Sequence, residues 1–291
     1  MKIGMIGLGA MGLPMAQNLV NAGMVVYGYD VSEKQREAFY QSGGIACDAL
    51  QETVKDAEVV LTSLPNSSIV ESIMLAEDGV LKQCQSGCCI VDMSSVGPAT
   101  SRKIYEIAKE YGIRYADAPV SGGVGGATNG TLTIMFGGEK ETWEKVQPVL
   151  EILGKKLVYV GEIGSGDAIK LVNNLMLGCN MAAIAEALTL GKQLGLSLET
   201  MRDIIGSSSG NSYAFTAKME KFIIPGQFEG GFATDLQYKD LNLALEAGKE
   251  TLVPLPMTAA ATQVFEASRS MGNGKKDMSS AVLVWEKLME L

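Results

Sequence analysis

The sequence predicts an α/β chain: an N-terminal doubly wound sheet of Rossmann type, joined by a long central helix to an all-α C-terminal domain. Three observations carry that expectation. A glycine turn of the form G-x-G-x-x-G, residues 7–12, follows a short apolar run and precedes a helical one. Short strand-like runs alternate with helical ones through the first half, the pattern of parallel strands with crossover helices. After Gly166 the alternation stops: residues 168–194 show helical spacing with few breakers, and the remainder is rich in helix formers. The expected boundaries are 1–163 for the sheet domain, 164–194 for the connecting helix and 195–291 for the helical domain.

Lys2–Ile6 is apolar and bounded by glycine, as a buried strand should be. Residues 14–22 read as a helix ended by Gly23, and 24–29 as a second strand with Asp30 at its end. Residues 57–63 form a strand that runs into a loop at Leu64, Pro65 and Asn66. Residues 87–93 form another, followed by Ser94 and Ser95. A helix over 98–111 has Pro98 in its first turn and Gly112 after its end. Residues 114–118 lead into a glycine-rich loop over 119–126, and 131–136 and 157–160 are the late strands.

The glycine turn has the parts a dinucleotide needs. Gly7 permits the tight turn, Gly9 lets the backbone approach a pyrophosphate, and Gly12 allows the helix to pack closely on the strand. Leu8, Ala10 and Met11 complete the cradle, and the helix N-terminus faces the phosphates. Asp30 follows Gly12 by 18 residues, near the roughly 20-residue spacing of the fingerprint. An acid there accepts hydrogen bonds from ribose hydroxyls and repels a 2′-phosphate. Val31, not arginine, comes next, so NAD is expected in preference to NADP. The plainer reading of Asp30 is a strand-end residue capping the next turn.

The chain contains no histidine. Proton transfer of the lactate or malate dehydrogenase kind is thereby excluded, and another acid–base is required, most plausibly lysine. Lys170 and Asn174 are i, i+4 on the long helix, with Asn173 beside them. A cation and an amide on one face can hold a carbonyl and its developing alkoxide. Spacing alone favours a plain solvated face. The missing histidine and the apolar neighbours Ile169, Leu171, Val172 and Leu175 favour chemistry and suggest a helix buried between domains. Ser121, Gly122 and Gly123 offer a hydroxyl and backbone N–H groups to a carboxylate, although such a loop is also an ordinary flexible connection. Residues 231–240 gather Phe232, Asp235, Lys239 and Asp240, with Asp235 and Lys239 expected as a surface ion pair. Tyr105 and Lys109 form a Y-x-x-x-K, but the glycine pattern differs from that of short-chain dehydrogenases and the pair fits an exposed helix face.

Of the 291 residues 47% are hydrophobic and 20% charged, as in ordinary globular proteins. A net charge of −9 without a basic block argues against nucleic acid, and an anionic substrate would need a local positive site. The five cysteines form no C-x-x-C and have no histidine to complete a metal site, so they are expected as plain thiols in a reducing cytosol. No signal-like N-terminus and no uninterrupted apolar stretch of about 18 residues occurs. A cytoplasmic enzyme without membrane partners is the expectation.

The segments 7–15, 117–123, 164–174 and 239–241 resemble the four signatures of the β-hydroxyacid dehydrogenase family, in register over essentially the whole chain. Its branches act on 3-hydroxyisobutyrate, tartronate semialdehyde and 2-(hydroxymethyl)glutarate. Residues 207–214, 219–222 and 254–258 resemble the last branch most. The resemblance implies an NAD-dependent 3-hydroxyacid dehydrogenase that moves a hydride between nicotinamide C4 and the hydroxyl-bearing carbon of a small carboxylate. It implies Lys170 as acid–base, Asn174 holding substrate and lysine, and Asn173 beside the substrate. Ser121, Gly122 and Gly123 would bind the carboxylate, and Phe232 would pack at the site. Leu64, Pro65 and Ser95 would line the dinucleotide, Lys239 would lie near nicotinamide and ribose, and Asp240 would orient nearby groups. Ser95 stands where several relatives carry threonine, which preserves the hydroxyl. A homodimer or homotetramer is implied. The substrates favoured are 2-(hydroxymethyl)glutarate and 3-hydroxyisobutyrate, with tartronate semialdehyde as the alternative. Retention of Lys170 disfavours an imine reductase, and with the acidic charge it disfavours a non-enzymatic nucleotide-binding relative. A dicarboxylate would call for a further donor, for which Asn211, Ser212 and Tyr213 are the candidates.

Overall fold

The computed structural model describes residues 1–289. The chain divides into two compact units, Met1–Lys170 and Leu171–Leu291, with the boundary inside the long helix.

The first unit is a nine-stranded sheet. Its elements are β1 (Lys2–Ile6), α1 (Gly12–Asn21), β2 (Val25–Tyr29), α2 (Glu33–Gln41), β3 (Ile45–Ala46), α3 (Leu50–Val54), β4 (Val59–Thr62), α4 (Ser67–Leu75), α5 (Val80–Gln83), β5 (Cys89–Asp92), α6 (Pro98–Glu110), β6 (Arg114–Asp117), β7 (Val120–Ser121), α7 (Gly123–Asn129), β8 (Leu132–Gly137), α8 (Lys140–Leu153) and β9 (Gly154–Gly161). The strand order is β3-β2-β1-β4-β5-β6-β8-β7, with β9 on β8. The first six strands are parallel and β8 is antiparallel to β6 and β7. This is the dinucleotide-binding order, in which ligands lie beyond the carboxyl ends of the strands.

Alternation along the strands covers both faces. Ile3, Met5, Val59, Leu61, Cys89 and Val91 pack with Met15 and Leu19 of α1 and Val146 of α8. Ile6, Val60, Ile90 and Tyr115 pack with Val70 of α4 and Ile104 of α6 on the other side. A strand buried on both sides reads as a continuous apolar run, which is why β1, β4 and β5 are visible in the sequence.

One expectation is corrected here. The glycine-rich segment 119–126 is not a loop throughout: Val120–Ser121 pairs with β8, and Gly123–Asn129 is helical. Gly122 (φ +136°) and Gly123 (φ +61°) make the sharp entry. The helix persists despite its glycines because Gly126 packs on Leu132 and the Ala127 carbonyl accepts from Asn18 Nδ2 at 2.7 Å. Tertiary contacts override a weak propensity.

α9 (Ser165–Gln193) runs 29 residues across the unit boundary. It is the one helix among the described residues long and apolar enough to cross a bilayer by length and composition, an outcome the sequence reading did not expect. Asn173, Asn180 and Glu186 interrupt its apolar surface, and such groups are costly in hydrocarbon. The second unit continues with α10 (Leu198–Gly206), α11 (Tyr213–Lys218), α12 (Thr234–Glu250), α13 (Pro256–Ser268) and α14 (Val282–Leu288), and no named strand occurs among its described residues. Its core joins Met181, Ala185 and Leu188 of α9 to Phe215, Leu241 and Phe265.

Candidate active site

In the first unit, backbone shapes the cradle. A Cβ on Gly7 would stand 2.3 Å from the Ser63 carbonyl oxygen, and one on Gly12 would stand 1.9 Å from that of Gly7. Both positions therefore exclude a side chain. At Gly9 a Cβ would meet nothing within 4 Å, so the space above it is open. Leu8 is buried, Ala10 exposed and Met11 half-buried. Asp30 closes the cradle, its carboxylate accepting from the Leu8 N–H at 2.7 Å and the Ser32 N–H at 2.8 Å. Asp30 thus ties down the glycine turn and, as the plainer reading expects, caps the chain after β2. An open glycine beside a helix N-terminus, with a carboxylate at the end of β2, fits NAD.

Arg36, which the sequence reading passed over, donates from Nη1 to the Asp30 carbonyl at 2.8 Å and ion-pairs with Asp48 at 3.5 Å. A cation therefore stands beside Asp30 after all, supplied by α2 rather than by position 31.

Leu64, Pro65 and Ser95 lie on the loops after β4 and β5, and buried Asp92 organises these loops. It accepts from Thr62 Oγ1 at 2.7 Å and from the Ser94 N–H at 3.0 Å, and Ser94 Oγ accepts from the Leu64 N–H at 2.8 Å. Burial pushes the Asp92 carboxyl up, against the pull of these donors. Thr62, Asp92 and Ser94 were missed, because nothing local marks a strand-end acid as a loop organiser. Ser121 is half-buried on β7, and Gly122 and Gly123 are exposed.

Lys170 is half-buried on α9. The expected burial of its apolar neighbours does not hold in the single chain: Ile169 is 43% and Val172 50% exposed. They face outward because the buried stripe of the helix passes through other positions.

In the second unit, side chains build the arrangement. Asn174 and Asp240 are buried, and Asn174 Nδ2 donates to Asp240 Oδ2 at 2.5 Å. Lys239 lies 3.3 Å from Asp240 Oδ1. Asn173, exposed, donates from Nδ2 to Asn174 Oδ1 at 2.9 Å. Gln237, fully buried and absent from the sequence reading, donates to the Asn174 carbonyl at 2.9 Å. Gly178 makes room for it, since a Cβ there would stand 2.5 Å from Gln237 Nε2.

Phe232 is half-buried, and its N–H donates to Asp277 at 2.9 Å. Asp277, buried, also receives Lys218 Nζ at 2.6 Å and both the N–H and Oγ of Ser279. Asp235 pairs with Arg269 at 2.6 Å, not with Lys239 as expected, because Lys239 turns to Asp240. Asn211 is committed to the Gly206 carbonyl and Thr216, Ser212 caps α11, and Tyr213 is 78% exposed. Tyr105 donates to Glu139 on an exposed face. All five cysteines are free thiols, and no metal-ligand cluster occurs among the described residues.

Two family models match nearly the whole chain. The NAD-binding domain of 6-phosphogluconate dehydrogenase matches residues 2–161, and the NAD-binding domain of NADP-dependent 3-hydroxyisobutyrate dehydrogenase matches 164–285. A 2-(hydroxymethyl)glutarate dehydrogenase of Eubacterium barkeri is 57% identical over 99% of this chain and 95% of its own. An NAD-dependent L-serine dehydrogenase of Pseudomonas aeruginosa is 35% identical over 96% and 95%. The structure of Mycobacterium tuberculosis 3-hydroxyisobutyrate dehydrogenase with L-serine superposes with a TM-score of 0.89 at 33% identity, covering 97% of both chains.

Fold, cradle and kinship define the class: an NAD-dependent oxidoreductase acting on CH–OH groups. The chain belongs to the β-hydroxyacid dehydrogenase family, that of 3-hydroxyisobutyrate dehydrogenase.

Proposed function

We propose that the protein oxidises the hydroxymethyl carbon of 2-(hydroxymethyl)glutarate to the semialdehyde, or runs the reverse reduction, with Lys170 as acid–base. One observation carries the assignment of roles: Asn174 is buried and locked by Asp240, one helical turn beyond Lys170 on α9. The relative of 57% identity supports the substrate. NAD, when bound, would supply the hydride acceptor, and the glycine turn and Asp30 would hold it.

Ser121 Oγ and the N–H groups of Gly122 and Gly123 bind the carboxylate and set the hydroxyl at Lys170. Lys170 takes the hydroxyl proton in oxidation and returns it in reduction. The amide nitrogen of Asn174 has two hydrogens and gives one to Asp240, which leaves one for the substrate oxygen. Asp240 orients Asn174 and Lys239 together. Fixing the carboxylate and the hydroxyl supplies much of the rate by positioning.

The chain self-associates as a homodimer or homotetramer in this reading. Ile169, Val172, Met176, Leu190 and Leu194 recur at helical spacing along α9 and its end and are exposed, Leu190 by 61% and Leu194 by 71%. Such a stripe calls for a partner surface.

The test is NADH or NADPH formation with 2-(hydroxymethyl)glutarate, 3-hydroxyisobutyrate, L-serine and glycerate, each a 3-hydroxyacid, with NAD and with NADP respectively. The expected result is the highest kcat/KM for 2-(hydroxymethyl)glutarate with NAD. A preference for another acid overturns the substrate, and no turnover of any overturns the reading.

A further inference from the structure

Asp117 is wholly buried at the carboxyl end of β6. Its carboxylate points at the start of α9. Oδ1 accepts from the Gly164 N–H at 2.6 Å and Oδ2 from the Asp167 N–H at 2.7 Å. These are first-turn N–H groups that a helix cannot satisfy by itself, and an anion there also answers the positive end of the helix dipole.

The surroundings are shaped to this contact. A Cβ on Gly166 would stand 2.8 Å from Asp117 Oδ2 and 2.1 Å from the Met135 carbonyl of β8. One on Gly137 would stand 2.7 Å from Asp117 Oδ1. Two glycines thus exist where the carboxylate must lie against backbone. A second tie holds the same turn: Ser101 Oγ of α6 donates to Asp167 Oδ2 at 2.6 Å. Burial pushes the Asp117 carboxyl up to about 6, against the pull of the Gly164 and Asp167 N–H groups.

Lys170 lies three residues past Asp167, about 4.5 Å along the axis at the helical rise. Four residues after Asp117 in the chain comes Ser121 of β7. One carboxylate is thus tied by chain to the serine–glycine segment and by hydrogen bonds to the turn that carries Lys170. We propose that Asp117 is a positioning residue for the reaction, fixing the first turn of α9 so that Lys170 is held in register with Ser121. This rests on the assignment of Lys170 as acid–base and goes beyond it by naming what places the lysine.

The experiment is a double-mutant cycle on the whole enzyme, with whichever of the four acids the wild type oxidises fastest. Asp117→Asn keeps the shape but turns an NH2 toward a backbone N–H. Asp117→Asn should lower kcat by about 10²-fold, the scale of a misplacement of about 1 Å, with KM and NADH affinity within about twofold. In the Lys170→Ala background the same substitution should change kcat by less than about twofold, because no lysine remains to be placed. A kcat within twofold of wild type for Asp117→Asn overturns the inference. An equal loss in both backgrounds also overturns it, since that is general damage. If Asp117→Asn does not fold, Ser101→Ala loosens the same turn and is read by the same two comparisons, with a loss of several-fold expected only where Lys170 is present. A Lys170→Ala enzyme that retains full turnover instead overturns the acid–base assignment itself.

Discussion

The two units build their polar arrangements by different means. In the first, the cradle is made of backbone: glycines that exclude a side chain at Gly7 and Gly12, an open Gly9, and one strand-end carboxylate that ties the turn to β2. In the second, Asn174 meets Asp240 across 66 residues of sequence, and Lys218 meets Asp277 across 59. A backbone cradle depends on a short run with fixed spacing. A side-chain network depends on how two distant helices pack, and a change at one member is felt by all its partners.

The contrast can be broken by substitution. The largest effect is expected in the second unit. Lys218→Met leaves the buried Asp277 carboxylate without its cation and should cost on the order of 3–5 kcal/mol of stability, read as a lower Tm. Because the Phe232 N–H hangs on the same carboxylate, turnover should fall with it. A Tm within about a degree of wild type would show that the pair does not support the α11–α12 connection.

Gly9→Ala should do the opposite. Its Cβ meets no protein atom within 4 Å, so Tm should hold while NADH affinity falls by about 10–100-fold, or roughly 1.4–2.8 kcal/mol, measured by fluorescence titration. A loss of stability with affinity retained would mean that the turn serves the fold and not the ligand.

The smallest effect concerns cofactor choice. If Asp30 repels a 2′-phosphate as proposed, Asp30→Ser removes that charge and leaves Arg36 beside the position. The ratio of kcat/KM for NADP over NAD should rise by about tenfold, within the range for a hydrogen bond to a charged group. An unchanged ratio would place the discrimination elsewhere.

The same contrast explains what could be read in advance. β1, the glycine turn, β2 and Asp30 were legible because each is a local pattern tied to one geometry. The length of α9 was legible from its unbroken spacing. Lys170, Asn174, Lys239 and Asp240 could be named through family resemblance, but their partners could not. Gln237 reads as an ordinary polar residue until it is found buried against Gly178 and the Asn174 carbonyl. Asp92 and Asp117 end neighbouring parallel strands and look alike in sequence, yet one organises the loops after β4 and β5 and the other caps α9. The segment 119–126 misled because glycine content argues for a loop, while packing on Leu132 makes part of it helix.

The central claim is that a histidine-free chain uses Lys170 to move the proton that accompanies hydride transfer. Lys170→Ala tests it most directly, measured as kcat for NADH formation alongside NADH affinity. The account predicts a loss of about 10²–10⁴ in kcat with affinity for NADH within about twofold of wild type. Turnover that survives the substitution would contradict it.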